Sequence, residues 1–120
     1  MAAKNLKGFA RIYAAFLNSL EGLKATWRHE EAFRQEGLLF LVGAPFGYWL
    51  GADPIERSLL IGVLVIVLIV ELLNTAVEVT VDRISFEHHE LSARAKDIGS
   101  AAVLLSLCLA GLVWLLVLTR

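Results

Sequence analysis

The chain has one cysteine, Cys108, among 120 residues. A single cysteine excludes an intrachain disulfide, and its place in an apolar run marks it as a packing residue. An excess of either charge is also missing: the formal net charge is −1, which argues against a nucleic-acid partner. There is no Gly-x-x-x-x-Gly-Lys phosphate loop, no Gly-rich nucleotide loop and no catalytic loop of the protein-kinase type, so those nucleotide-binding architectures are excluded. Repeats, low-complexity tracts and internal domain boundaries are likewise missing. What is abundant is apolar surface, at 58% of residues, too much for an ordinary soluble domain and consistent with a small polytopic membrane protein.

Three runs qualify as spans, at 38–52, 58–81 and 98–118. The last, from Ile98 to Leu118, carries no charge and matches the roughly 20 residues needed to cross a hydrocarbon core. The first is short for a span, and Pro45 is expected to kink it. Gly51-Ala52-Asp53-Pro54 reads as a turn in which Asp53 caps the next helix and Pro54 takes its first position.

Ahead of the spans, residues 4–36 read as an amphipathic surface helix. Phe9, Ile12, Tyr13, Phe16, Leu20, Leu23 and Trp27 share one face, and Lys4, Lys7, Arg11, Asn18, Glu21 and Arg28 the other. It lacks the apolar core and cleavage site of a signal peptide, so the mature chain is expected to keep it. Nine Lys and Arg lie in this segment and in the linker after the second span, against Arg57 and Arg120 on the opposite side. The positive-inside rule therefore puts the N-terminus in the cytoplasm and the C-terminus outside.

The second span breaks its own apolar pattern. Glu71, Asn74, Glu78 and Asp82 fall within an arc of roughly 80° on one helix face. Ionisable groups at membrane depth cost roughly 2.5 to 3.5 kcal/mol each on insertion scales and usually face a bundle interior or a site. A rise of about 1.5 Å per residue puts Glu71 roughly 18 Å into the span and Glu78 roughly 28 Å, near the cytoplasmic headgroups. Desolvation at Glu71 suits a general base acting on a lipid hydroxyl. Glu78, nearer water, suits a hard cation such as Mg²⁺, and the Asn74 amide either orients a carboxylate or donates to a phosphoryl oxygen. Glu30, Glu31 and Glu36 lie near the same interface, each able to complete a metal site or to be solvated.

The linker from Arg83 to Asp97 carries Glu87, His88, His89 and Glu90 together, then Arg94, Lys96 and Asp97. It holds the donors and acceptors a nucleotide needs, although the cluster by itself also reads as a solvated helix end. Lys96 stands where a cation meets either phosphates or lipid headgroups.

These residues carry a family resemblance. Glu71-Leu72-Leu73-Asn74-Thr75-Ala76-Val77-Glu78, then Val81-Asp82-Arg83, then Ala95-Lys96-Asp97-Ile98-Gly99-Ser100, resembles the signature of the bacterial diacylglycerol kinases, small integral membrane lipid kinases that include undecaprenol kinases. Glu30-Glu31-Ala32-Phe33-Arg34-Gln35-Glu36-Gly37 is similar to the segment leading into that family's first span.

The resemblance implies an all-α membrane protein in the bacterial inner membrane, with a surface helix and three transmembrane helices. It implies a homotrimer with composite active sites, and phosphorylation of diacylglycerol to phosphatidic acid using ATP and Mg²⁺. Glu71 is then the general base, with Asn74 and Asp82 in support, and Glu30 and Glu78 are the metal ligands. Arg11, Ser19, Glu87, His88, His89, Lys96 and Asp97 match nucleotide-contacting positions, His88 standing where relatives often carry Tyr. The lipid lies along Ser19, Trp27, Arg34, Glu36, Glu71, Ser100 and Trp114. Alternative readings are undecaprenol kinase and a small proton-coupled transporter, the latter having no need of a charged linker beside an acidic stripe.

Overall fold

The computed structural model describes residues 7–120, so Lys4, where the expected surface helix begins, lies outside the described residues. Four helices follow one another, α1 (Gly8–His29), α2 (Glu31–Leu50), α3 (Pro54–Ile84) and α4 (Glu90–Leu118), with no strand among the described residues. The chain divides into two compact units, Met1–Glu31 and Ala32–Arg120.

In the first unit α1 is amphipathic and buries none of its residues. Its apolar stripe, Phe9 through Trp27, is exposed, and Arg28 and His29 close its last turn, where cations suit the negative end of the helix dipole. Glu30 leaves helical geometry at φ −117° and ψ 111°, and the helix stops there. The break therefore falls several residues earlier than the sequence pattern placed it. Residues 31–36 open α2, and the apolar run at 38–52 forms the remainder of that helix and its exit turn. Pro45 lies inside α2.

In the second unit α3 starts as its turn sequence dictates. Asp53 Oδ1 accepts the Glu56 backbone N–H at 2.8 Å, and Pro54, lacking an N–H, opens the helix. Arg57 fastens this end to α2: its Nε donates to the Tyr48 carbonyl at 2.9 Å, and its guanidinium lies 4.5 Å from the Tyr48 ring centre. Arg120 ties the end of α4 to the same corner through Glu56, at 2.8 Å.

Residues 85–89 turn the chain back, so α3 and α4 form an antiparallel hairpin. Facing pairs step in opposite directions along the two helices: Lys96 bonds to Asp82, Gly99 faces Asn74, and Trp114 Nε1 donates to the Leu60 carbonyl at 3.0 Å. Val63, Val67 and Ala110 make the buried core, with Val113 and Trp114 packed on it. The helices α3 and α4 are long and apolar enough to cross a membrane. Their outward faces leave Leu73, Leu104, Leu105 and Leu112 more than half exposed, a surface suited to lipid or to other helices rather than to water. Cys108 corrects the packing expectation: it is exposed on this outward surface of α4 and adds nothing to the core within the chain.

Candidate functional site

The polar stripe of α3 is turned toward its neighbours in the second unit. Glu71 is 4% exposed, the most deeply buried acid among the described residues. From α2, the Glu36 carboxyl reaches it and forms a side-chain hydrogen bond. Two carboxyl groups bond only when one of them carries a proton. Burial first, then the Glu71 charge and that bond, raise the Glu36 carboxyl from 4.5 to about 7. Glu36 Oε2 is buried and has no hydrogen-bond partner.

One turn on, the Asn74 amide spans the stripe. Its Nδ2 donates to Glu71 Oε2 at a long 3.4 Å and to Glu78 Oε1 at 3.1 Å. Only the NH₂ end can face two carboxylates, so Nδ2 is the atom turned toward Glu71 and Glu78. Gly99 of α4 lies against the other end of the amide, and Asn74 Oδ1 is buried without a hydrogen-bond partner.

At the end of the stripe Lys96 Nζ donates to Asp82 Oδ1 at 2.7 Å. That bond raises the Lys96 pKa, with partial burial opposing and the charges of Asp82 and Glu78 reinforcing it, so the ammonium stays charged. Beyond it lies a cleft of about 260 Å³ whose lining includes Asp82, Glu87, His88, His89, Ser92 and Lys96. His89 caps α4, its Nδ1 accepting the Leu91 N–H at 3.0 Å, so the N-terminus of a long helix opens on this cleft. Helix N-termini present free N–H groups and a partial positive charge, which suits phosphate oxygens. The cleft is smaller than the roughly 300 to 1,000 Å³ of typical small-molecule sites.

The remaining expected residues belong to several elements. Arg11, Ser19, Trp27 and Glu30 belong to the first unit: Arg11 is exposed, Ser19 Oγ donates to the Ala15 carbonyl at 2.9 Å, Trp27 is exposed and Glu30 half-buried. Arg34 is half-buried on α2, while Asp97 and Ser100 are exposed on α4. Trp114 lies fourteen residues beyond Ser100, about 21 Å along the helix. Among the described residues no three His, Cys, Asp or Glu side chains gather as a metal cage. Glu78 and Glu30 each carry the hard carboxylate oxygens that Mg²⁺ takes, commonly alongside substrate phosphates.

Sequence reasoning missed two members of this region. Thr75, buried at 9% exposure one turn after Glu71, carries the same spacing signal, which the stripe of Glu71, Asn74, Glu78 and Asp82 left out. The contact of Gly99 with Asn74 had no signal along a single helix, because it forms across the hairpin.

The model of the family described as prokaryotic diacylglycerol kinase matches residues 17–118. The chain is 50% identical to a diacylglycerol kinase of Escherichia coli over 116 residues, 97% of this chain and 95% of the relative. It is 50% identical over 96 residues to that of Haemophilus influenzae, covering 80% and 81%. With that of Pseudomonas aeruginosa it shares 47% identity over 111 residues, covering 92% and 90%.

Proposed function

The chain belongs to the prokaryotic diacylglycerol kinase family and is a lipid kinase, and from that premise we propose that it transfers the γ-phosphoryl group of ATP to the hydroxyl of diacylglycerol at the cytoplasmic leaflet. The observation that carries this reading is the buried Glu71, linked through the Asn74 amide to Glu78 and ending at a cleft edged by Lys96. On this reading Glu71 is the proton acceptor at lipid depth and Lys96 with the helix N-terminus forms the aqueous edge, as a membrane hydroxyl and a soluble triphosphate require.

In this reaction the lipid hydroxyl oxygen bonds to the γ-phosphorus, the bond to the β–γ bridging oxygen breaks, and ADP leaves. Glu71 takes the hydroxyl proton. Asn74 holds the Glu71 and Glu78 carboxylates in register, and Asp82 holds Lys96 at the cleft. Arg11, Ser19, Glu87, His88, His89, Lys96 and Asp97 contact the nucleotide. Ser19, Trp27, Arg34, Glu36, Ser100 and Trp114 line the lipid's path. Glu30 and Glu78 hold Mg²⁺, which when bound neutralises phosphate charge.

The fold that serves this chemistry has three spans per chain, the first being the apolar part of α2 from Leu38, with the N-terminus in the cytoplasm of a bacterial inner membrane. Three helices enclose too little volume for lipid and nucleotide together, and the outward apolar faces invite self-association, so the working form is a homotrimer with composite sites.

The test is to purify the protein in detergent or lipid, supply Mg·ATP with diacylglycerol or undecaprenol, and measure labelled phospholipid. Transfer to diacylglycerol is expected, with Glu71→Gln folded but reduced about 10³-fold or more. Full activity of that variant would remove Glu71 as the base, and transfer to undecaprenol alone would replace the acceptor.

A further inference from the structure

We propose that Gly99 is a positioning residue of the kinase site: its missing Cβ lets α4 close on Asn74 and hold that amide between Glu71 and Glu78. The inference rests on the reading of this stripe as the catalytic centre and adds to it a residue that acts through Asn74.

Gly99 lies inside α4, where glycine is less favourable than alanine, so its place there calls for a reason in packing. A Cβ built on it would stand 3.2 Å from Asn74 Cγ and 3.8 Å from Asn74 Cβ, and would overlap Asn74 Oδ1. The amide therefore occupies the space that any other residue would fill. This also accounts for the buried Oδ1 that has no hydrogen-bond partner: it rests on the glycine Cα–H, a weak donor.

Contact at Oδ1 and the two bonds from Nδ2 hold opposite ends of one planar group. Turning the amide over would aim Oδ1 at two carboxylates and is opposed by their charge. Swinging it away from a methyl group would draw Nδ2 off Glu71 or Glu78. Parting the helices instead would lengthen the Lys96 to Asp82 bond, 2.7 Å in this structure. Either relief disturbs the spacing of base and metal ligand without altering a catalytic side chain.

The test is a double-mutant cycle of Gly99→Ala and Asn74→Ala in the intact protein in lipid, read by diacylglycerol phosphorylation and by the side-chain amide resonances of ¹⁵N-labelled asparagine. Trimming Asn74 to its Cβ leaves only the ordinary 3.8 Å contact, so the collision vanishes in the double variant. Gly99→Ala is expected to lower kcat about tenfold or more with KM for both substrates within about twofold, and to shift the Asn74 amide signal. The double variant is expected within about threefold of Asn74→Ala alone, with the same thermal midpoint.

Retention of more than about half of kcat by Gly99→Ala with an unmoved Asn74 signal overturns the proposal. So does a double variant that melts below both single variants, because the defect is then one of helix packing. If the unmodified protein phosphorylates no lipid, the kinase reading fails by itself, and the amide signal still decides whether Gly99 holds Asn74.

Discussion

Two acids in contact, Glu36 and Glu71, set the residue-scale behaviour of this protein. The Glu36 carboxyl, raised from 4.5 to about 7 by burial and by Glu71, favours its protonated form in the folded chain. Its contribution to stability is fully present below pH 4.5 and is lost as pH rises through about 7. Thermal midpoints measured across that window are therefore expected to fall with rising pH, and Glu36→Gln, which cannot ionise, is expected to flatten this part of the profile. An unchanged slope in the variant would place the titration elsewhere. Asn74 makes a second residue-scale point. The sequence left its amide two destinations, carboxylate or phosphoryl oxygen, and both Nδ2 bonds in the structure go to carboxylates.

At the scale of elements, the start of α3 was legible because its chemistry is local. Asp53 and Pro54 are read from a turn signal that needs no partner, and the Asp53 cap forms as expected. Asp53→Ala is expected to cost about 1 kcal/mol, the usual loss for an N-cap. A thermal midpoint lowered by a few degrees with kcat unchanged would check it. The break between α1 and α2 was not legible to the residue. No glycine or proline stands at Glu30, and the residues on both sides continue a helical pattern, so the end drifts in a sequence reading. The Lys96 to Asp82 pair was hidden for another reason: each residue was seen on its own element, and only the hairpin brings them within 2.7 Å.

At the scale of the molecule, one chain leaves much apolar surface exposed and lines a cleft of only about 260 Å³. If the working form is a homotrimer with composite sites, two variants that are inactive alone complement each other when mixed. Glu30→Gln and Glu71→Gln, unfolded together and reconstituted, are expected to recover a measurable fraction of transfer, while each alone stays near background. No recovery after confirmed mixing would put Glu30 and Glu71 of one site on the same chain.

The sequence by itself determined the class of molecule, the polar stripe of α3, its capped start and the family, because each of these depends on residue order along one strand of chain. Periodicity reports which residues share a helix face, and a motif reports its own residues. Only the tertiary structure decided which groups meet across that face: Glu36 with Glu71, Lys96 with Asp82, and Gly99 with Asn74. Those contacts depend on the register of antiparallel helices. Register is set by packing between distant segments, which no local pattern contains.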